Sequence, residues 1–469
     1  MFPGGIHYKI TQIILLSILL CTTMFAQKGD YITVTGDSLV GKIINGESVR
    51  EIYGNVVLTQ GNIRITCNKA VQFILRNDAE LIGNVVVVQE NLTITTERGI
   101  YFGNSRKAET KSKVKLDDKK VILTADFGDY FFNEDRAYFQ DNVTLYDTAT
   151  TLTSKALNYF KNENRAVATG NVKIVDAENV ITADTIEHFR SSRITIGDSR
   201  VRISNYKNNI VIFGGHLEDY AQQKYTLITK NPILIQIDSS FYSEPDSLVI
   251  DTLIIRALVM ESFRDTSNIF IAKDSVEILR GMFASKNDYT IYFKDEEKII
   301  TKKLGEELSQ PKLWYENTQI TGDSIAVFLR ENKIRLVEIN KNSFIHSYNE
   351  IYTDRFDQIS GEKIILDFID GKISKAEINE AVYAIYFLYE DDLPNGLTKS
   401  SSQSALIYFD DNKVSEVRLF TSPTSDYYPE NMVEGNENTY LLPQYVLHKN
   451  RPNKIELMKY LSTELEENL

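Results

Sequence analysis

Histidine, cysteine and paired carboxylates are the side chains from which catalytic and metal sites are built, and this chain scatters them. Past residue 26 the histidines are His188, His216, His346 and His448, and none stands at ligand spacing from another His or Cys. Two cysteines, Cys21 and Cys67, are present in all, and only Cys67 lies beyond the apolar N-terminal segment, so no disulfide within the exported chain is expected. No nucleophile elbow and no phosphate-binding glycine loop occurs. Carboxylates do recur: Asp126 and Asp184 occupy one periodic position with Glu97, but Asn68 and Lys155 occupy it too. A catalytic pair is not expected once per repeat with a lysine among its substitutes, so these read as solvated turn residues. His188 takes a place held elsewhere by Tyr101, Tyr130 and Tyr159 and reads as structural. Gly214-Gly215 is a tight-turn signal, and Trp314, in Leu313-Trp314-Tyr315, reads as core. The pattern predicts no catalytic residue, no metal site and no cofactor. The formal net charge of −13 excludes nucleic acid as a partner, because phosphate contacts need clustered Lys and Arg.

Periodicity carries the information that chemistry does not. Valine recurs every 29 residues at Val56, Val85, Val114, Val143, Val172 and Val201, preceded by Asn55, Asn84, Lys113, Asn142, Asn171 and Arg200. Threonine keeps the same period at Thr66, Thr95, Thr124, Thr153 and Thr182, each after Ile or Leu, and phenylalanine at Phe73, Phe102, Phe131, Phe160 and Phe189. Apolar and polar residues alternate with period two around these anchors, and Gly, Asn and Asp cluster between runs, which predicts three short strands per repeat joined by turns. Such a repeat cannot bury its own apolar face, so it must stack on its neighbours.

Strand phase selects the inward set. The first and third residues after each Asn or its substitute are Val56 and Leu58, Val85 and Val87, Val114 and Leu116, Val143 and Leu145, Val172 and Ile174, Val201 and Ile203, all apolar. The intervening residues, Val57, Val86, Lys115, Thr144, Lys173 and Arg202, turn polar from the third repeat onward. Alternation across a strand therefore sends the twelve aliphatic residues to one interior and the second set to water. Periodicity alone leaves open whether that interior is a filled core or a groove.

From about Asp246 the 29-residue register is lost, while strand alternation persists. Ile320-Thr321-Gly322-Asp323-Ser324 returns 39 residues later as Ile359-Ser360-Gly361-Glu362-Lys363, and Glu331-Asn332-Lys333-Ile334 returns as Asp370-Gly371-Lys372-Ile373 and again at Asp411 to Val414. The Asn-Lys and Gly-Lys pairs between apolar runs read as hairpin turns. At the N-terminus Lys9, the apolar run Ile10 to Cys21 and the small Ala26 form a secretory signal with cleavage after Ala26. The expected organisation is a signal at 1–26, a repeat domain at 27–245, a second β region at 246–422 and a proline-containing tail at 423–469 with one short helix over Lys454 to Glu467.

The repeated Gly54-Asn55-Val56, Gly83-Asn84-Val85 and Gly170-Asn171-Val172, with Ile65-Thr66 to Ala70, resemble the OstA-like family, which includes the periplasmic lipopolysaccharide-transport protein LptA. Leu313-Trp314 followed by Gln319 to Ser324 resembles the larger family members of the Bacteroidetes type. The resemblance spans roughly Gly29 to Leu419. It implies an all-β, elongated repeat β-jellyroll whose interior takes the acyl chains of lipid A, with copies joined end to end or to inner- and outer-membrane transport components by edge-strand addition. It implies no catalytic residue. The positions matching its lipid-binding groove are the twelve inward ones. The expected function is a periplasmic carrier that shields lipopolysaccharide acyl chains. The competing reading is a structural or adhesive β-solenoid with a closed core and protein partners, and a carbohydrate-active β-helix finds no suitable acidic pair.

Overall fold

The computed structural model describes residues 31–242, 247–331, 333–411 and 413–457. The expected signal and its cleavage point after Ala26 lie outside the described residues, as does the boundary expected at residue 245. Among the described residues thirty-two strands are present and their pairings are antiparallel, the all-β class that the alternation predicts and consistent with the jellyroll that the resemblance implies. No described helix is long and apolar enough to cross a membrane. The chain divides into two compact units, Met1–Thr148 with Lys155–Asn162, and Ala149–Ser154 with Glu163–Leu469.

In the first unit the first two 29-residue periods each hold two long bent strands, not three short ones, and the third is broken into four short strands between Lys107 and Phe131. Glu47–Gln60 and Ile63–Phe73 make one period, and Asp78–Gln89 and Leu92–Phe102 make the next. The Gly-Asn pairs also fall elsewhere than expected, inside strands instead of between them. Tyr53 faces Lys69 and Val56 faces Cys67, so Gly54 and Asn55 together oppose the single residue Asn68. This is a β-bulge, two residues against one, and it bends the strand. Both bulge residues lie in the left-handed region, with φ of 70° at Gly54 and 44° at Asn55. Glycine and asparagine enter that region at the lowest cost, which is the physical reason for the recurring pair.

The second unit repeats the device after its sequence signature has faded. Gly170-Asn171, Ser199-Arg200, Asp274-Ser275, Lys341-Asn342 and Glu380-Ala381 all have positive φ at both residues, and the register shifts at each. The predicted hairpin turn at Asp370-Gly371 is present between Phe356–Ile369 and Lys372–Glu390.

The recurrent carboxylates are accordingly not free turn residues. They stand opposite the bulges and hold them. The Asn142 side-chain amide donates to Asp126 at 2.6 Å and the Arg200 Nε donates to Asp184 at 2.7 Å. The same clamp recurs where Asn55 donates to Asp37 at 3.0 Å and Asn342 to Asp323 at 3.2 Å, both acids lying in Thr-Gly-Asp-Ser phrases.

After its last strand, Thr424–Tyr428, the chain makes one helical turn at Glu430–Val433 and a 3-10 turn at Glu437–Tyr440. It then runs on without strand pairing along the second unit to residues 454–457, which are helical. The rest of the expected C-terminal helix lies outside the described residues.

Candidate functional site

Residues directly opposite one another in a sheet share a face, so the pairing register shows what each face presents. In the first unit one row runs Val34, Leu58, Ile65, Val87, Ile94, Leu116, Leu123, Leu145, one residue from each strand crossed. Every member is aliphatic and no charge interrupts it. Beside the bulges a second inward row sets Val56 against Cys67 and passes Val85, Thr96, Val114 and Ala125, so each valine faces a smaller neighbour.

In the second unit the row runs Ile174, Ile181, Ile203, Ile212, Leu234, Ile255, Ile278, with Val172 facing Ala183 and Val201 facing Gly214 on its neighbour. After Ser285 it resumes as Leu313, Ile320, Ile345, Ile359.

The twelve residues picked from periodicity therefore lie on these rows. Eleven are buried, and Ile203 is half-buried. Residues missed are Ile65, Ile94, Leu123 and Ile181, whose recurrence before the periodic threonines was visible, with Val34, Ile212, Leu234 and the second-unit members past residue 246, where the fixed period is gone.

Burial is close to complete from Leu58 to Leu145 in the first unit, whereas Ile181, Ile203 and Ile212 of the second are half-buried. Leu58 and Leu116 are 0% exposed and Leu145 is 7% exposed. The first-unit rungs are covered by the protein's own side chains, so an apolar guest enters there only if the covering faces part.

Hydrogen bonds at the strand ends brace the stack. The Tyr101 hydroxyl donates to Gln60 Oε1 at 2.5 Å, and Gln60 Nε2 donates to the Gly103 carbonyl at 3.0 Å. Tyr159 donates to Asp118 at 2.6 Å and Tyr130 to Asp135 at 3.2 Å. Burial pushes the Tyr101 phenol up to about 12 and raises Tyr130 as well, so both stay neutral donors. His188, at the same periodic place, pairs its Nδ1 with the Thr195 hydroxyl at 3.0 Å, a structural contact.

The opposite face of the first unit carries Thr35, Val57, Thr66, Val86, Thr95, Lys115, Thr124 and Thr144 in one row. A shallow cleft of about 590 Å³ lies over it, lined by Val86, Thr95, Lys115 and Thr124 and by Glu97 and Asp126. Lys115, and Lys173 and Arg202 on the second unit, are exposed as their phase predicts. No group of three or more His, Cys, Asp or Glu residues suited to a metal ion occurs among the described residues. What this arrangement offers chemically is aliphatic surface without direction, worth roughly 25 cal/mol for each Å² taken from water.

Comparison with known proteins adds a family. The model of OstA-like proteins matches residues 28–184 and, in a second match, 133–211. No curated protein matches the chain. Sixteen chains of solved structures match. One is the crystal structure of LptH, the LptA homologous periplasmic component of the conserved lipopolysaccharide transport device from Pseudomonas aeruginosa. It shares 15% identity over 37% of this chain and 94% of its own, with a TM-score of 0.14. The matched stretch, residues 28–211, is similar to OstA-like proteins and holds the 29-residue periods, their Gly-Asn bulges and the inward rows as far as Ile203.

Proposed function

We propose that the chain is a lipopolysaccharide-transport component that shields lipid acyl chains along its inward ladder on the way from inner to outer membrane. The observation that carries this is the unbroken aliphatic row from Val34 to Leu145 inside the OstA-like region. An acyl chain needs surface without directional chemistry, and identical rungs about 4.8 Å apart let it move from one to the next with little change in energy. Head-group phosphates stay in water, since the ladder holds no cation.

Because the first-unit rungs are covered, loading there requires the sheets to separate, and the free energy to do so must come from the lipid tails that replace protein contacts. A closed β-solenoid with protein partners is the second reading, and the full burial of Leu58 and Leu116 favours it.

A photocrosslinking residue at Leu145, compared with one at the outward Thr144, decides between them. Carriage predicts lipopolysaccharide adducts from position 145 and few from 144 in cells. Adducts absent from both positions, in a chain shown to be folded, leave only the closed solenoid.

A further inference from the structure

From about Ile233 onward the second unit covers the outward face of its sheet as well as the inward one, and it does so with its own tail. Opposite the aliphatic row runs a second row: Ile235, Ile254, Leu279, Ala284, Trp314, Gln319, His346, Gln358, Ile385. In the first unit the face in this phase is threonine-rich and half-exposed, yet here six of nine residues are apolar and the row is covered. The segment after residue 435 lies across the strands and follows this row. Leu442, with Val433 ahead of it, packs on Phe344, Ile385, Phe387 and Leu397, and Leu457 packs on Ile233 and Ile254. From the Gln358 strand to the Ile254 strand is six strand spacings, about 29 Å, which the sixteen residues from Leu442 to Leu457 span with slack.

Recognition of this segment is built from side chains that read a backbone. Gln358 Oε1 accepts from the Leu442 amide at 2.8 Å. Gln319 donates from Nε2 to the Val446 carbonyl at 2.9 Å and accepts at Oε1 from the His448 amide at 2.9 Å, so one buried glutamine serves two groups of the tail as a strand partner would. At the start, the guanidinium of Arg355, itself 4% exposed, holds Glu430 through two hydrogen bonds of 3.1 and 2.5 Å and reaches Glu437 at 3.4 Å.

The fit beneath the tail is incomplete. Both ring nitrogens of His346 and the Ser360 hydroxyl are buried without a hydrogen bond of good geometry, although the Val446 backbone lies close to the imidazole. Core segments satisfy such groups, because each buried orphan costs about 1–3 kcal/mol. A surface that leaves them open while reading its occupant through backbone groups has the character of a binding site.

We propose that this row is a peptide-binding track and that residues 436–457 are its resident, exchangeable ligand. The class of ligand is an extended peptide with a large apolar residue at the Leu442 and Leu457 places, free backbone groups for Gln358 and Gln319, and a carboxylate for Arg355. Displacing the tail uncovers Trp314, His346 and Ile385 to a partner segment of the same kind.

The test inserts a site-specific protease sequence between Gly435 and Asn436, both exposed, and nicks the folded full chain. The expected result is that the C-terminal fragment stays bound after nicking. An excess of a synthetic 436–457 peptide then exchanges it off while the β circular dichroism and thermal transition of the remainder persist. Gln319→Ala weakens retention at least tenfold, and Leu442→Asp in the synthetic peptide abolishes competition. Loss of the sheet's thermal transition on removing the fragment makes the tail an integral part of the fold and overturns the proposal. So does a fragment that departs at once on nicking, or retention indifferent to Gln319.

Discussion

At the scale of single residues, His346 shows how burial turns an ordinary side chain into a sensor. Its ring sits among Phe344, Phe356 and Tyr445, with centroids 5.0–5.9 Å away, and desolvation brings its pKa from 6.5 down to about 4. With the tail seated the imidazole stays neutral until about pH 4, whereas with the tail lifted it binds a proton near its ordinary value. The closed state is therefore fully favoured above pH 6.5 and loses about 3 kcal/mol as pH falls from 6.5 to about 4. Two neighbours titrate as well. His448, on the tail, is lowered by burial and weakens closure in the same direction. Asp357, whose carboxyl burial raises it from 3.8 to about 7 and whose oxygen accepts from the Phe387 amide, has the opposite sign and supports the folded sheet as pH falls below 7. Global unfolding thus mixes the two signs, and the measurement must be local. Amide exchange at Leu442 and His448 should accelerate between pH 6.5 and 4.5, after correction for intrinsic rates, and His346→Phe should remove most of that dependence. An unchanged profile in the His346→Phe variant would sink the assignment.

At the scale of elements, the bulge sets the path of each bent strand, and its two residues make unequal demands. Gly54 has φ near 70° and its missing Cβ would fall against the Asp37 carboxyl, so Gly54→Ala meets both backbone strain and a crowded neighbour. The expected cost is about 1–2 kcal/mol, read as a lower urea midpoint with an unchanged slope. Asn55→Gly relaxes the backbone at φ 44° but gives up the bond to Asp37, and these offset to within about 0.5 kcal/mol. Equal losses from both substitutions would show that the left-handed geometry does not set the preference. The bulges also explain what could be read from the chain and what could not. Alternation around Val56, Val85 and their successors revealed the inward face, because burial acts on every second residue. The Gly-Asn pairs looked like turns because turns and bulges need the same left-handed residues, and local composition cannot distinguish a reversal from a bend. Where the strands lengthen, as in Lys333–Tyr348 and Lys372–Glu390, the bulges at Lys341-Asn342 and Glu380-Ala381 fall 39 residues apart with other residues in them, so the 29-residue period and its Gly-Asn mark are both gone although the bulge geometry persists. The track beneath the tail left little trace, since Gln319 and Gln358 gain meaning only through the distant Val446, His448 and Leu442.

At the scale of the whole molecule, stacked strands leave unpaired edges, and this chain does little to blunt one of them. Ser38–Ile44 pairs only with Glu47–Gln60 among the described residues, all seven of its residues are exposed, and Leu39 and Ile43 stand 55% and 77% open to solvent. Such edges invite strand addition unless charges or bulges guard them. Strand addition forms backbone hydrogen bonds and buries apolar side chains, both nearly indifferent to ionic strength. Bringing together two chains that each carry a net charge of −13 is opposed by repulsion that salt screens. Joining through this edge should therefore strengthen as salt rises from about 0.05 to 0.5 M, the reverse of an association built on ion pairs. Sedimentation velocity across that range should show larger species at high salt. Leu39→Lys combined with Ile43→Lys should return the chain to the monomer with its thermal transition intact, because neither side chain is part of the core. Association that weakens with salt, or that survives both lysines, would place the contact on some other surface. A chain monomeric at every concentration and salt would mean that one molecule, not a string of copies, provides the full length of ladder.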